Sequence, residues 1–114
     1  MAAFRLGAAV PAVAAVERLR QVLEDAPATE AELRSLLEQA GGWERTLRGR
    51  VAASEQRLRA LADDTASPLA QIAAELRHVE PLRRELHETQ SLIEQLEQRA
   101  RELRSAWLLR SASR

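Results

Sequence analysis

Residue types that commonly carry chemistry are sparse in this chain, and their spacing argues against a shared site. There are two histidines and no cysteine. At about 100° per residue, the spacing of His78 and His87 places them on nearly opposite faces of one helix. Glu75 and His78 match the Glu-x-x-His spacing of di-iron bundles, but such sites need a second copy of the motif and further inward glutamates. We therefore predict no metal site and no cofactor.

Candidate nucleophiles and phosphate loops fail on similar grounds. His87-Glu88 lacks the second histidine of the zinc-protease pattern. The chain contains no lysine, so a P-loop cannot form, and Gly41, Gly42 and Gly49 lie within a helical pattern. Serines and threonines are scattered, and none has an evident base beside it. We expect no enzymatic activity and no small-molecule substrate.

The charges are balanced and interleaved, which argues against a nucleic-acid partner. The 17 basic residues are all arginine, and 17 acidic residues offset them. A nucleic-acid-binding surface needs a basic face, and none stands out. No stretch approaches the ~20 apolar residues of a membrane-spanning helix. Residues 1–16 contain one arginine and no acid, so a secretory or organellar presequence is an alternative to a cytoplasmic location.

Apolar residues recur at alternating spacings of four and three, which is the pattern of helices with one apolar stripe. The composition, rich in Ala, Leu, Arg, Glu and Gln, also favours helix. The sequence predicts an all-α fold with a short helix over 11–26, a second over 29–63 and a third over 68–110. Pro11 suits the first turn of the first helix. Thr29 and Glu32 form a capping box for the second.

Two positions test the continuity of these helices. Gly41-Gly42 together cost about 2 kcal/mol relative to alanine, but the four-three alternation continues in phase across them. We therefore predict one helix through the pair. At Pro81 the third stripe has one spacing of three where four is due, and proline cannot donate to the carbonyl of Arg77. A kink, or a full break, is expected there.

Folding the second and third helices back antiparallel around residues 64–68 matches the two stripes. Leu47 then lies opposite Leu86 and Ala40 opposite Ile93. The two interruptions of the stripes, Glu44 and Thr89, fall opposite one another and form a predicted polar layer in the seam.

The first helix is predicted to complete a three-helix bundle at one end only, formed by residues 11–44 and 89–109. Trp43 and Trp107 are expected in its core, and a role as binding hot spots is the alternative. Residues 45–88 would project as a two-helix coiled-coil arm, and two helices alone cannot shield an apolar seam. The predicted partner-binding residues follow that seam: Val51, Leu58, Leu61, Ile72, Leu76, Val79 and Leu82.

Two segments resemble known helical families. Residues 72–107, particularly Leu92-Ile93 and Leu103 to Trp107, resemble part of a spectrin-type repeat, a three-helix unit of cytoskeletal linkers. Gly41-Gly42-Trp43 resembles the central motif of small secreted WXG-type proteins, which are helical hairpins that turn at Trp-x-Gly. This chain reads Trp43-Glu44-Arg45 instead.

These features favour a non-enzymatic scaffold or complex subunit, of cytoskeletal, tethering, kinetochore-like or secretion-associated type. It would assemble with helical partners, or with itself, through coiled-coil packing. Two alternatives stay open. One is a secreted WXG-like hairpin protein, and the other is an amphipathic binder of membrane surfaces that uses residues 4–23.

Overall fold

The computed structural model describes residues 2–112, with side chains described from residue 13 onwards. This range contains three helices and no strand: α1 (Ala2–Leu23), α2 (Glu30–Asp63) and α3 (Leu69–Ala112). The molecule measures 73 × 34 × 19 Å. Its long axis follows α3, whose 44 residues span about 66 Å at the usual helical rise. The predicted antiparallel hairpin with an added N-terminal helix is confirmed.

Helix α1 differs from its predicted bounds of 11–26 at both ends. It begins at Ala2, so Pro11 lies within the helix and not at its first turn. The side chains of residues 2–12 lie outside the described residues. The helix ends at Leu23, because Asp25 has a φ of 73° and the chain leaves helical geometry there.

The end of α1 has the hydrogen bonds of a Schellman motif. The N–H of Ala26 donates to the Gln21 carbonyl at 3.0 Å, and the N–H of Asp25 donates to the Val22 carbonyl at 3.1 Å. An arginine of α3 completes this end: Arg99 donates to the Leu23 carbonyl at 3.0 Å and also pairs with the Asp25 carboxylate. Carbonyls at a helix end need such donors, so α3 helps to terminate α1.

Helix α2 begins as its capping residues predict. The Thr29 hydroxyl accepts a hydrogen bond from the Glu32 N–H at 3.1 Å. The Glu32 carboxylate instead reaches α1, where it accepts from Arg18 Nε at 2.8 Å. That bond outweighs partial desolvation and lowers the pKa of Glu32. The helix continues without interruption through Gly41-Gly42, as the heptad phase predicts.

The hairpin turns at the predicted place. The Asp64 side chain accepts from the Ala66 N–H and the Asp64 carbonyl accepts from the Ser67 N–H, both at 3.0 Å. Helix α3 then begins at Leu69 and runs unbroken through Pro81 to Ala112. The alternative of a full break at Pro81 was therefore wrong.

The main apolar core joins all three helices near the chain connection of α1 and α2. Its buried members are Ala15, Val16, Leu19, Val22, Leu36, Ala40, Leu92 and Leu96. A narrower buried seam continues between α2 and α3 through Leu47, Val51, Ser54, Val79 and Thr89. No residue between 55 and 78 is buried, and none between 97 and 112. The two extremities of the hairpin are thus the least covered parts of the described chain.

Candidate functional site

The predicted partner-binding residues of the arm divide by burial. Val51 and Val79 are buried within the hairpin, so they close the seam and do not face outward. Leu76 is 46% exposed. The other four are half-buried: Leu58, Leu61, Ile72 and Leu82. A partner on the arm would therefore meet the residues nearer the hairpin turn, and binding by them stays a prediction.

The predicted polar layer contains a small hydrogen-bond network. Thr89 is buried in the seam, and its neighbour Gln90 donates to Glu44 Oε1 at 3.3 Å. The same carboxylate oxygen pairs with Arg48 one turn along α2. Glu44 thus joins a cross-helix contact to a surface ion pair.

A second polar cluster interrupts the arm seam at Glu75. Its carboxylate accepts from the buried Ser54 hydroxyl at 2.5 Å and from Arg57 Nε at 3.0 Å. The hydrogen bond from Ser54 lowers the pKa of Glu75, with Arg57 adding to the effect. Both of these partners lie on α2, so Glu75 links the two helices. Among the described residues, no group of three or more histidine, aspartate and glutamate side chains is placed to hold a metal ion.

Trp43 packs against the bundle core, as predicted. Its indole N–H donates to Glu85 of α3 at 3.3 Å, and the Arg50 guanidinium lies 5.3 Å from the ring centroid. The segment is helical, and the chain reverses at residues 64–68 instead. The turn that the WXG resemblance implies is therefore absent at Trp43.

Trp107 occupies a different environment, and the expectation that it lies in the core was wrong. Its side chain is 66% exposed, and neighbouring leucines of the same helix are similarly open. The physical reason lies in the helix lengths. Arg104 of α3 pairs with Glu30, the first residue of α2, at 3.5 Å. Residues 105–112 therefore extend past the start of α2 by about 12 Å at the helical rise.

The exposed tryptophan belongs to an apolar groove between α2 and α3, which we call the end groove. Its volume is about 660 Å³. The connection between α1 and α2 contributes Ala28 to its wall. Its apolar lining consists of Leu33 and Leu37 of α2 together with Leu96, Ala100, Leu103, Trp107 and Leu108 of α3. This wall has the size and chemistry of a surface that takes another helix.

Arginines dominate the charged rim of the end groove. Glu30 lies 3.8 Å from Arg34 and 3.5 Å from Arg104, so one carboxylate serves two guanidinium groups. Beyond Glu102, the described part of α3 carries Arg104 and Arg110 and no acidic residue. The rim therefore has a net positive charge beside an apolar floor.

Sequence reasoning placed the accessible apolar surface on the arm and missed the end groove. A signal was present. The predicted start of the second helix at residue 29 and the antiparallel pairing already left the last turns of the third helix without a partner. The stripe through Leu103 and Trp107 continues into those turns, so its apolar residues face no residue of the second helix.

A role at a membrane can be compared with the described helices and side chains. Within the described residues, no helix combines the length and apolar character that crossing a membrane requires. The side chains of residues 4–12, which the membrane-surface alternative uses, lie outside the described residues.

Comparison of the chain with protein-family models, with curated proteins and with solved structures finds no match.

Proposed function

We propose that this chain is a non-enzymatic assembly subunit that binds an amphipathic helix of a partner protein in the end groove. The observation that carries the proposal is the exposure of Trp107 beside the apolar wall formed by Leu33, Leu37 and Leu103. Contiguous exposed apolar surface on a folded protein commonly marks an interaction site, and tryptophan is the residue most enriched at binding hot spots.

The shape of the end groove favours a helix as the occupant. Its α3 wall runs from Leu96 to Trp107, about 16 Å along the helix axis. A helix of roughly three turns would match that length and complete a four-helix arrangement at this end. Apolar residues at i, i+3/i+4 and i+7 would face the wall.

The charge of the rim favours an acidic occupant. Arg34 and Arg104 share Glu30, so each has capacity for a further carboxylate. Arginine forms planar, charge-assisted contacts to carboxylates. An amphipathic helix with glutamate or aspartate beside its apolar face would therefore bind better than the same helix with arginine in those positions.

The proposal is tested by calorimetric titration with two designed peptides of about five turns. Both carry the same leucine and alanine face, one with glutamate and the other with arginine on the flanking positions. We expect the acidic peptide to bind the wild-type protein and the Leu37→Arg variant to lose at least tenfold in affinity, because a charge then occupies the apolar wall. The matched control is Leu69→Arg, which lies at the opposite extremity and should bind normally. Equal binding to wild type and Leu37→Arg, or no binding of either peptide, would contradict the proposal.

A further inference from the structure

The hairpin tip, defined as residues 60–76, carries acidic charge and exposed apolar side chains, whereas the end groove has an arginine-rich rim. Its charged residues are Asp63, Asp64 and Glu75, and Arg59 and Arg77 flank it. Glu75 is paired with Arg57 of α2, so the available acidic charge of the tip lies on Asp63 and Asp64. Two large apolar side chains there are open to solvent, Leu69 at 82% and Leu76 at 46% exposure. The tip is therefore an acidic, apolar pair of helix ends.

The two surfaces lie at opposite extremities of one elongated molecule. The end groove lies where α3 passes the start of α2, and the tip lies where α2 turns into α3. We propose that copies of this chain associate head to tail, with the hairpin tip of one copy in the end groove of the next. This inference rests on the proposed use of the end groove as a helix-binding surface and commits to a second copy as its occupant.

Charge complementarity selects this occupant over a symmetric contact between two end grooves. Two grooves facing each other would bring Arg104 and Arg110 of both copies together. Arginines brought together in this way would repel one another and oppose association. The tip instead brings Asp63 and Asp64, both exposed, to a rim with surplus guanidinium groups.

The α3 overhang supplies the space for such a contact. Residues 105–112 extend past the start of α2, and Trp107 in this segment is 66% exposed. The tip is itself two helices with no buried residue between 55 and 78. In the proposed contact, the two helix ends of the tip pack against the apolar wall that α2 and α3 leave exposed at the other extremity.

The expected geometry is heterologous, because two different surfaces meet. Such contacts leave one free tip and one free groove on every oligomer, and they extend into open chains unless the rotation closes a ring. The contact involves only the ends of two helix pairs, so we expect a small buried area, in the range of weak, transient interfaces. We expect association that grows with protein concentration and weakens with added salt.

Sedimentation velocity with two charge-reversed variants tests this proposal. Asp63→Arg/Asp64→Arg reverses the tip, and Arg104→Glu/Arg110→Glu reverses the rim. Each variant alone should be monomeric, since its tip and groove then carry the same sign. An equimolar mixture should recover the concentration-dependent mass of the wild-type protein, because each tip again meets a groove of opposite sign.

Two results would overturn the proposal. One is a wild-type protein that stays monomeric up to about millimolar concentration, where even contacts with a millimolar Kd are populated. The other is a tip-reversed variant that associates as the wild type does, which indicates a contact that does not use the tip. Circular dichroism of both variants is the control that they remain helical.

Failure here is distinguishable from failure of the proposed function. If the wild-type chain is monomeric but the acidic peptide binds the end groove, the groove serves another protein and only the head-to-tail inference falls. If neither the peptide nor the tip binds, both fall together.

Discussion

Arg104 of α3 and Glu30 of α2 form an ion pair at 3.5 Å, and this pair marks the position where α3 outruns its partner helix. Everything C-terminal to Arg104 on α3 lies beyond the first residue of α2. The apolar stripe of α3 does not stop there, and Trp107 is the result. The end groove is thus a consequence of unequal helix lengths combined with a stripe that continues past the end of the shorter helix.

Replacing Gly41 and Gly42 with alanine is expected to stabilise the protein. Both glycines are helical with ordinary negative φ, and among the described side chains an added Cβ at either would meet only that of Arg45, at 3.8 Å. Alanine is favoured over glycine in a helix by up to about 1 kcal/mol per position. Urea denaturation should show a gain of roughly 1–2 kcal/mol for the double variant.

Gly49→Ala provides the matched control for that experiment. It lies on an exposed part of the same helix, and an added Cβ meets no atom within 4 Å. A gain at Gly49 with a loss at the pair would mean that the pair is needed for a bend or a close approach.

Arg99→Met is expected to destabilise the junction of α1 and α3. The substitution keeps an apolar stem but removes the donor to the Leu23 carbonyl and the partner of Asp25. Loss of a charge-assisted hydrogen bond at a helix end should cost about 1–2 kcal/mol in the free energy of unfolding. Thermal or urea denaturation measures the change.

Arg101→Met is the control for Arg99. Its side chain is exposed and contacts Gln98 of the same helix at 2.8 Å. A loss at Arg101 as large as that at Arg99 would contradict a specific capping role.

Acid should weaken the hairpin through Glu32 and Glu75. The pKa of each is lowered in the folded state, by the hydrogen bond from Arg18 and from Ser54 respectively, below the ordinary 4.5. The unfolded state therefore binds protons first as the pH falls. The stabilisation is complete above about pH 4.5 and is lost as the pH drops through the lowered folded values.

The pH dependence of stability can be measured as the urea midpoint of unfolding from neutral pH down to about pH 3. In Glu75→Gln the acid-dependent loss should be smaller than in the wild-type protein, because the neutral amide has no such linkage. Glu97→Gln, on an exposed face of α3, should keep the wild-type profile. An unchanged profile in Glu75→Gln would show that the Ser54 contact does not stabilise the carboxylate.

Local signals in the sequence predicted the fold well. Thr29 and Glu32 located the start of α2, Asp64 to Pro68 located the hairpin turn, and the heptad phase carried α2 through the paired glycines. Each of these depends on neighbours within a turn or two, so the chemistry is visible in the sequence itself. The continuity of α3 at Pro81 depends on longer-range packing, which can hold a helix together across a residue of low propensity.

The end groove was harder to predict because it depends on a relationship between helices. Trp107 has the spacing of a core residue, and nothing local distinguishes it from Trp43. The difference arises from what lies opposite: Trp43 has Glu85 and the α1 core beside it, whereas Trp107 lies beyond the start of α2. Whether an apolar stripe is exposed depends on which helix lies opposite it, so the pairing of the helices must be known before the exposure can be predicted.

The most direct test of the end groove uses the two tryptophans as internal reporters. A proton–nitrogen correlation spectrum resolves one indole N–H signal for each, assigned with Trp43→Phe and Trp107→Phe variants. During titration with the acidic amphipathic peptide, we predict that the Trp107 signal shifts in a saturable way while the Trp43 signal, whose N–H donates to Glu85, stays in place. A stationary Trp107 signal at peptide saturation, or equal shifts of both, would contradict binding in the end groove.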